Sequence, residues 1–332
     1  MQNPNLTRRR MIAITAAAAG SAFVGGARIA RAGEAVRWHG SALGAQVSIE
    51  IYHPDRAEAA RLVDSCLLDV RRLEQQFSLY RQDSAISMLN RTGILVAPDP
   101  DMVALLEASL IFADLTGGAF DPTVQPLWRL YADHFSSERP DPTGPPREHL
   151  VEVLTRVGHG GLLVSPDRVA LAHRGAAITL NGIAQGFATD KVVEKLRKAG
   201  LSTTLVNMGE IRAIGPRPGG TPWRVGLADP DRPGALTETI DLVDRAVATT
   251  AGAGFRFDAA GRFTHLFDPK TGISPSLYRT VSVVAPSATE ADALSTAFSL
   301  MTIPRILDIV ATRPNVQARL IDADGRMTVC GA

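Results

Sequence analysis

Asp292 and Thr296 stand four residues apart in SATEADALSTAFSLM, residues 287–301, a stretch that reads as a helix starting at Ser287 or Thr289. That spacing puts both side chains on one helix face, where a carboxylate and a hydroxyl can hold a hard cation such as Mg²⁺ and leave positions for phosphate oxygens. Thr289 and Asp292 have the spacing of a capping box as well, which would spend the same carboxylate on a backbone amide. Spacing alone does not choose between the two.

A second candidate is TLNGIAQGFATD, residues 179–190. It contains neither the G-x-x-x-x-G-K-[ST] loop nor a full G-x-G-x-x-G. Ala177 to Leu180 reads as a short strand and Asn181-Gly182 as a turn; Phe187, Val192, Val193, Leu196 and Ala199 then recur at helical spacing until Gly200. Asn181 is placed to cap that helix, whose first amides would form an anion site, although an ordinary capped helix packed on a sheet has the same pattern. In FTHLFDPKTGISP, residues 263–275, His265 is expected on a strand leading into a turn at Asp268-Pro269-Lys270-Thr271-Gly272. Tyr80, Phe120 and Phe187 could line a planar cofactor, although each taken singly suits the core better.

These segments need a scaffold, and the hydrophobic 45% of the chain is enough to build one. Val36 to Tyr52 reads as a strand, Ala57 to Phe77 and Asp101 to Leu115 as helices, the latter stopped by Thr116-Gly117-Gly118. SSERPDPTGPP, residues 136–146, is an excursion within one domain, because apolar strands resume around Gly161 to Leu171. Further strands are expected at Thr203–Asn207, Trp223–Ala228, Thr280–Val284 and Ala318–Ile321, giving an α+β (mixed α/β) fold.

Thr7-Arg8-Arg9-Arg10-Met11 followed by an alanine-rich apolar stretch has the twin-arginine export pattern, with a cut after Ala30-Arg31-Ala32. The apolar run is shorter than the roughly 18 to 20 residues needed to span a membrane, so the mature chain is expected to carry no membrane span. Residues 1–32 are read as this signal and residues 33–332 as the functional domain. With five arginines and no acid in the signal, the rest of the chain holds 30 basic against 34 acidic side chains. That balance gives no support for nucleic-acid binding by counterion release. Cys66 and Cys330 lie in no metal-ligand spacing, and sequence leaves their pairing open.

Taken in order, ALGAQVSIEI (42–51), FSLYRQDSAISMLN (77–90), TGGAFDPTV (116–124), TLNGIAQGFATD, LVNMGEIRAIG (205–215), FTHLFDPKTGISP and VSVVAPSATEADALSTAF (281–298) resemble the ApbE family of FAD:protein FMN transferases, especially its exported NosX-like branch. The resemblance implies a single domain with largely antiparallel sheets and packed helices. It further implies Mg²⁺-dependent cleavage of FAD and transfer of FMN to a threonine of an acceptor flavoprotein, NosR-like in this branch, in the periplasm. On it the metal falls to Asp292, Thr296 and the backbone carbonyl of Ala184. The flavin nucleotide falls to Leu43, Tyr80, Ala119, Phe120, Asp121, Asn181, Phe187 and Leu266. His265, or the nearby carboxylate of Asp268, would take the threonine proton. The chain departs from the family pattern at Leu43 and Ala45 of the M-G-T segment, at Thr179 and Gln185 where an acid and a lysine are usual, and at Glu210 where an aspartate is usual. The lost lysine supports a rival reading as a non-catalytic FAD carrier, and an FAD pyrophosphatase releasing FMN and AMP is a third.

Overall fold

The computed structural model describes residues 35–331 apart from 231 and 233; the expected signal over residues 1–32 lies outside them. Val36 to Tyr52 is two strands, β1 (Ala35–Ala42) and β2 (Ala45–Tyr52), paired antiparallel from Ala35↔Tyr52 to Ala42↔Ala45. Leu43 and Gly44 make the turn with φ of 51° and 75°, the left-handed pair that matches the twist of a two-residue hairpin.

Helix α1 (Arg56–Phe77) starts where the Asp55 carboxylate accepts the Ala57 and Glu58 amides, and it buries Ala59, Val63, Cys66, Val70, Leu73 and Phe77 along one stripe. After α2 (Ala85–Thr92) and the short β3 (Ile94–Val96), α3 (Pro100–Leu115) is capped by Asp99 and ends at the left-handed Gly117 and Gly118. Helices α4 (Gln125–Ser136) and α5 (Arg147–Leu154) flank the proline-rich excursion, and β4 (Leu162–Val164) and β5 (Arg168–Leu171) join β3 in a small antiparallel sheet.

The expected strand at Ala177–Leu180 does not form. Its backbone is satisfied without a neighbouring strand: the Asn90 side chain both accepts from the Ile178 amide and donates to the Ile178 carbonyl, and the Thr179 amide donates to Pro122. There follow α6 (Ala184–Lys198), β6 (Thr204–Asn207), β7 (Ile211–Ile214), the hairpin β8 (Trp223–Ala228) and β9 (Leu236–Leu242), β10 (Ala246–Ala251), β11 (Tyr278–Ala285), α7 (Ala288–Phe298), α8 (Ile303–Ala311), β12 (Gln317–Asp322) and β13 (Met327–Cys330).

Among the described residues the largest sheet has eight strands in the order β1-β2-β6-β7-β10-β11-β12-β13, every pair antiparallel. Alternation along the strands sends Val47, Ile49, Ile51, Val281 and Val283 to one face, where α1, α6 and α7 cover them in the main core. Leu205, Ile211, Ala213 and Val284 point to the other face, under the β8–β9 hairpin. A third, aromatic cluster of Tyr131, Phe255, Phe257 and Phe267 joins α4 to the 255–267 loop. Cys66 and Cys330 are buried and unpaired. Among the described residues no helix is long and apolar enough to cross a membrane.

Candidate active site

The meeting of α6 and α7 sets the geometry. Asn181 does not cap α6: the cap position is Ile183, without a side-chain bond, and the Asn181 amide donates to the Thr179 hydroxyl. What meets the first turn of α6 is Asp292, whose Oδ2 accepts the Gly186 amide at 2.9 Å. The two helices approach this closely only because residue 186 is glycine; a Cβ there would lie 2.3 Å from the Ala288 carbonyl oxygen. One turn further along α6, Asp190 Oδ1 accepts the Ala288 amide (2.9 Å) and the Arg212 guanidinium (2.5 Å), while its Oδ2 accepts the amide and hydroxyl of Thr289 (2.9 and 2.6 Å). Ser287 adds a cap on the Glu290 amide. The start of α7 is therefore held by Ser287 and Asp190, and the Thr289–Asp292 capping box does not form. Asp292 is left to face a cavity.

That cavity is a cleft of about 910 Å³. Of the expected site residues, Tyr80, Ala119, Phe120, Asp121, Asn181, His265, Leu266, Asp292 and Thr296 line it. Four others do not. Leu43 is in the β1–β2 turn, where its carbonyl accepts from Gln185 Nε2 at 3.3 Å, and so reaches the cleft through Gln185. Phe187 is buried edge-on against Phe77, 5.9 Å between centroids. Ala184 is buried at the head of α6; the loop carbonyl beside the Thr296 hydroxyl is that of Gly182, at 3.5 Å. Asp268 holds its own turn, accepting the Lys270 amide at 2.8 Å. His265 is in irregular chain next to the isolated Arg256–Thr264 bridge, not on a strand.

In the sequence Glu210 stands out only as a departure from a motif, yet its buried carboxylate lines the cleft. The visible signal was an acid beside Gly209, a residue that takes φ of 110° and packs against Gln185. Burial drives the Glu210 carboxyl well above the usual range and the neighbouring Asp292 adds to it, against the Thr249 amide. Burial likewise pushes Asp292 up to about 7, with the Gly186 amide opposing and Asp190 reinforcing. The His265 ring is lowered by desolvation, and its Nδ1 lies 3.4 Å from the Phe255 carbonyl.

A carboxyl whose folded pKa is raised from 3.8 to about 7 stabilises the fold below pH 4, and this contribution is lost as pH rises through 7. For Asp292 it is on the order of 4 kcal/mol. Urea unfolding of metal-free protein should therefore show Asp292→Asn gaining stability relative to wild type between pH 5 and pH 8; equal slopes in the two proteins would contradict this.

An eight-stranded antiparallel sheet, helices packed on one face and a cleft with buried carboxylates, a hydroxyl and a histidine define a single-domain α+β enzyme. The chain belongs to the ApbE family, whose model matches residues 43–320. It is similar to an FAD:protein FMN transferase of Treponema pallidum, 32% identical over 82% of this chain and 80% of that protein. Among solved structures it resembles the flavin transferase ApbE of Vibrio cholerae (26% identity, TM-score 0.76, 90% of this chain and 98% of that one). It also resembles the ApbE protein of Thermotoga maritima (29% identity, TM-score 0.77, 90% and 97%).

Proposed function

We propose that this enzyme transfers FMN from FAD to a threonine hydroxyl of a partner protein, with Mg²⁺ held at Asp292 and Thr296. The observation that carries the reading is the buried Asp292 carboxylate, which α6 and α7 hold one turn from the Thr296 hydroxyl in a cleft of nucleotide size.

The donors suit the metal. They are hard oxygens, and among the described residues no group of three or more His, Cys, Asp or Glu side chains gathers to hold an ion. Such a site suits Mg²⁺, which binds through one or two carboxylates together with substrate phosphates. Asp292 and Thr296 would hold it, with the Gly182 carbonyl beside them and Glu210 as the second carboxylate of the pocket. When bound, the ion supplies positive charge to the pyrophosphate, the charge that Gln185 in place of a lysine does not.

The remaining steps belong to the chain and the acceptor. The acceptor oxygen forms a bond to the FMN phosphorus, the bond from that phosphorus to the AMP oxygen breaks, and AMP leaves. The proton of the threonine goes to His265, which desolvation keeps neutral and whose Nδ1 faces the Phe255 carbonyl, leaving Nε2 as the base. His265→Ala should lower kcat by about 10² to 10⁴-fold with little change in the FAD concentration for half-maximal rate. A raised KM at unchanged kcat would remove His265 from this role.

We assign the protein to the NosX-like branch on Leu43, Ala45 and Gln185, and place it in the periplasm on Arg8, Arg9 and Arg10. A NosR-like flavoprotein is the acceptor this assignment suggests. Mass spectrometry of such an acceptor after incubation should locate FMN on one threonine, and Thr→Ala there should abolish labelling. AMP and free FMN with an unlabelled acceptor would make the enzyme a pyrophosphatase.

A further inference from the structure

Asp121 lines the cleft, but neither oxygen of its carboxylate is free. Oδ1 accepts from the amide (2.7 Å) and hydroxyl (2.6 Å) of Thr123, and Oδ2 accepts from the His159 amide (2.9 Å) and lies 3.3 Å from His159 Nδ1. Thr123 is fixed in turn, its hydroxyl accepting the Gly158 amide at 2.7 Å. The other ring nitrogen of His159, Nε2, lies 3.1 Å from Asp114 Oδ1 at the end of α3. One imidazole, when both of its ring nitrogens carry a proton and donate, thus joins the two ends of the loop that begins at Asp114 and ends at Asp121. Between them are Ala119 and Phe120, which line the cleft, and Gly117 and Gly118, both left-handed. The ring passes directly over Gly118, where a Cβ would lie 3.7 Å from its Cε1.

We propose that His159 is a positioning residue: it staples the 114–121 loop shut and thereby sets the affinity of the cleft for the flavin nucleotide. This rests on the reading of the cleft as an FAD site. Without the ring the loop retains its internal bonds from the Gly117, Gly118 and Ala119 amides to the Asp114, Ala113 and Thr116 carbonyls and from the Phe120 amide to the Thr116 hydroxyl, and Asp121 keeps the His159 amide, but no side chain ties Asp114 to Asp121. The reacting groups Asp292, Thr296 and His265 belong to other segments, so loosening the loop weakens FAD binding and leaves the chemical step alone.

The test uses the whole protein as wild type, His159→Ala, His159→Asn, Asp114→Ala and the His159→Asn/Asp114→Ala pair. Asparagine keeps a donor near Nδ1 for Asp121 and loses only the arm to Asp114. Hydrogen exchange of residues 116–121 should accelerate in His159→Ala. The Kd and KM for FAD should rise about tenfold, as expected for losing a bond to a charged group, with kcat unchanged. His159→Asn and Asp114→Ala should give smaller, equal effects, and the pair no more than either alone. If His159→Ala does not fold, these milder variants decide the matter. Unchanged exchange and FAD affinity, a fall in kcat at constant KM, or additivity of the two partial variants would overturn the staple. Failure of wild type to bind FAD would instead sink the functional reading, while the exchange measurement still judges the staple.

Discussion

Asp292→Ala should leave no measurable flavin transfer, a loss of about 10³-fold or more, whatever the concentrations of FAD and Mg²⁺. The expectation follows from what Asp292 does and does not do for the fold. Its carboxylate is buried and accepts one amide, that of Gly186. Desolvation makes its charged form costly in the metal-free protein. A group that costs stability when ionised and faces a cleft is held there for a ligand. Asp292→Asn keeps an acceptor for the Gly186 amide, so it should fold at least as firmly as wild type at pH 8 and yet show no Mg²⁺-dependent rise in melting temperature. Retained Mg²⁺-dependent turnover in either variant would remove Asp292 from the metal site.

Gly186→Ala is expected to have the second largest effect, for a purely steric reason. The added methyl would stand 2.3 Å from the Ala288 carbonyl oxygen and 2.8 Å from the Asp292 Cβ, and the first of these is backbone that cannot swing away. Helices α6 and α7 must separate, at a cost of about 1–3 kcal/mol for overpacking. The same movement displaces Asp292 and Thr296 from the loop at Gly182. A shift near 1 Å at reacting groups costs about 10²-fold in rate. Calorimetry should show a lowered melting temperature, and the folded fraction should turn over at about 1% of the wild-type rate. Gly200→Ala is the control: residue 200 is left-handed, with nothing within 4 Å of a new Cβ. It should cost about 1 kcal/mol and leave turnover intact. Equal loss of turnover in both variants would mean that instability, not displacement of the site, is responsible.

The contrast between these two glycines shows what sequence could and could not convey. Gly200 was legible as the end of a helix because the signal is local: an apolar period stops and a residue free to adopt positive φ follows. The helix start at Ser287, which caps the Glu290 amide, is local in the same way. Gly186 was legible only as part of a motif, since its reason lies 102 residues away at Ala288. Asp190 is a plainer case still. It closes the quoted motif, but its partners Ala288 and Thr289 are 98 and 99 residues distant.

Where sequence and structure part, the causes are equally particular. Leu43-Gly44 does not look like a turn in sequence, because leucine rarely takes a left-handed φ and the apolar pattern runs on through it. Ala177–Leu180 has the composition of a strand, but Asn90 and Pro122 took its backbone bonds. Asn181 had the right type for a cap and stands too early, two residues ahead of Ile183. Asp292, Thr296 and His265, which line the cleft, could be singled out in sequence because a shared helix face and ordered motifs survive in one dimension. Glu210 could not, because its proximity to Asp292 exists only in the folded chain.

The reading proposed for the cleft is that it passes FMN from FAD to a protein hydroxyl. Its most direct test is to incubate the purified protein with FAD, Mg²⁺ and a NosR-like acceptor domain, then measure flavin fluorescence of the denatured acceptor in a gel together with free AMP. A fluorescent acceptor band, with AMP released in equal amount and both lost on chelation of Mg²⁺, is the predicted result. A dark acceptor band, whether AMP is released or not, would contradict it.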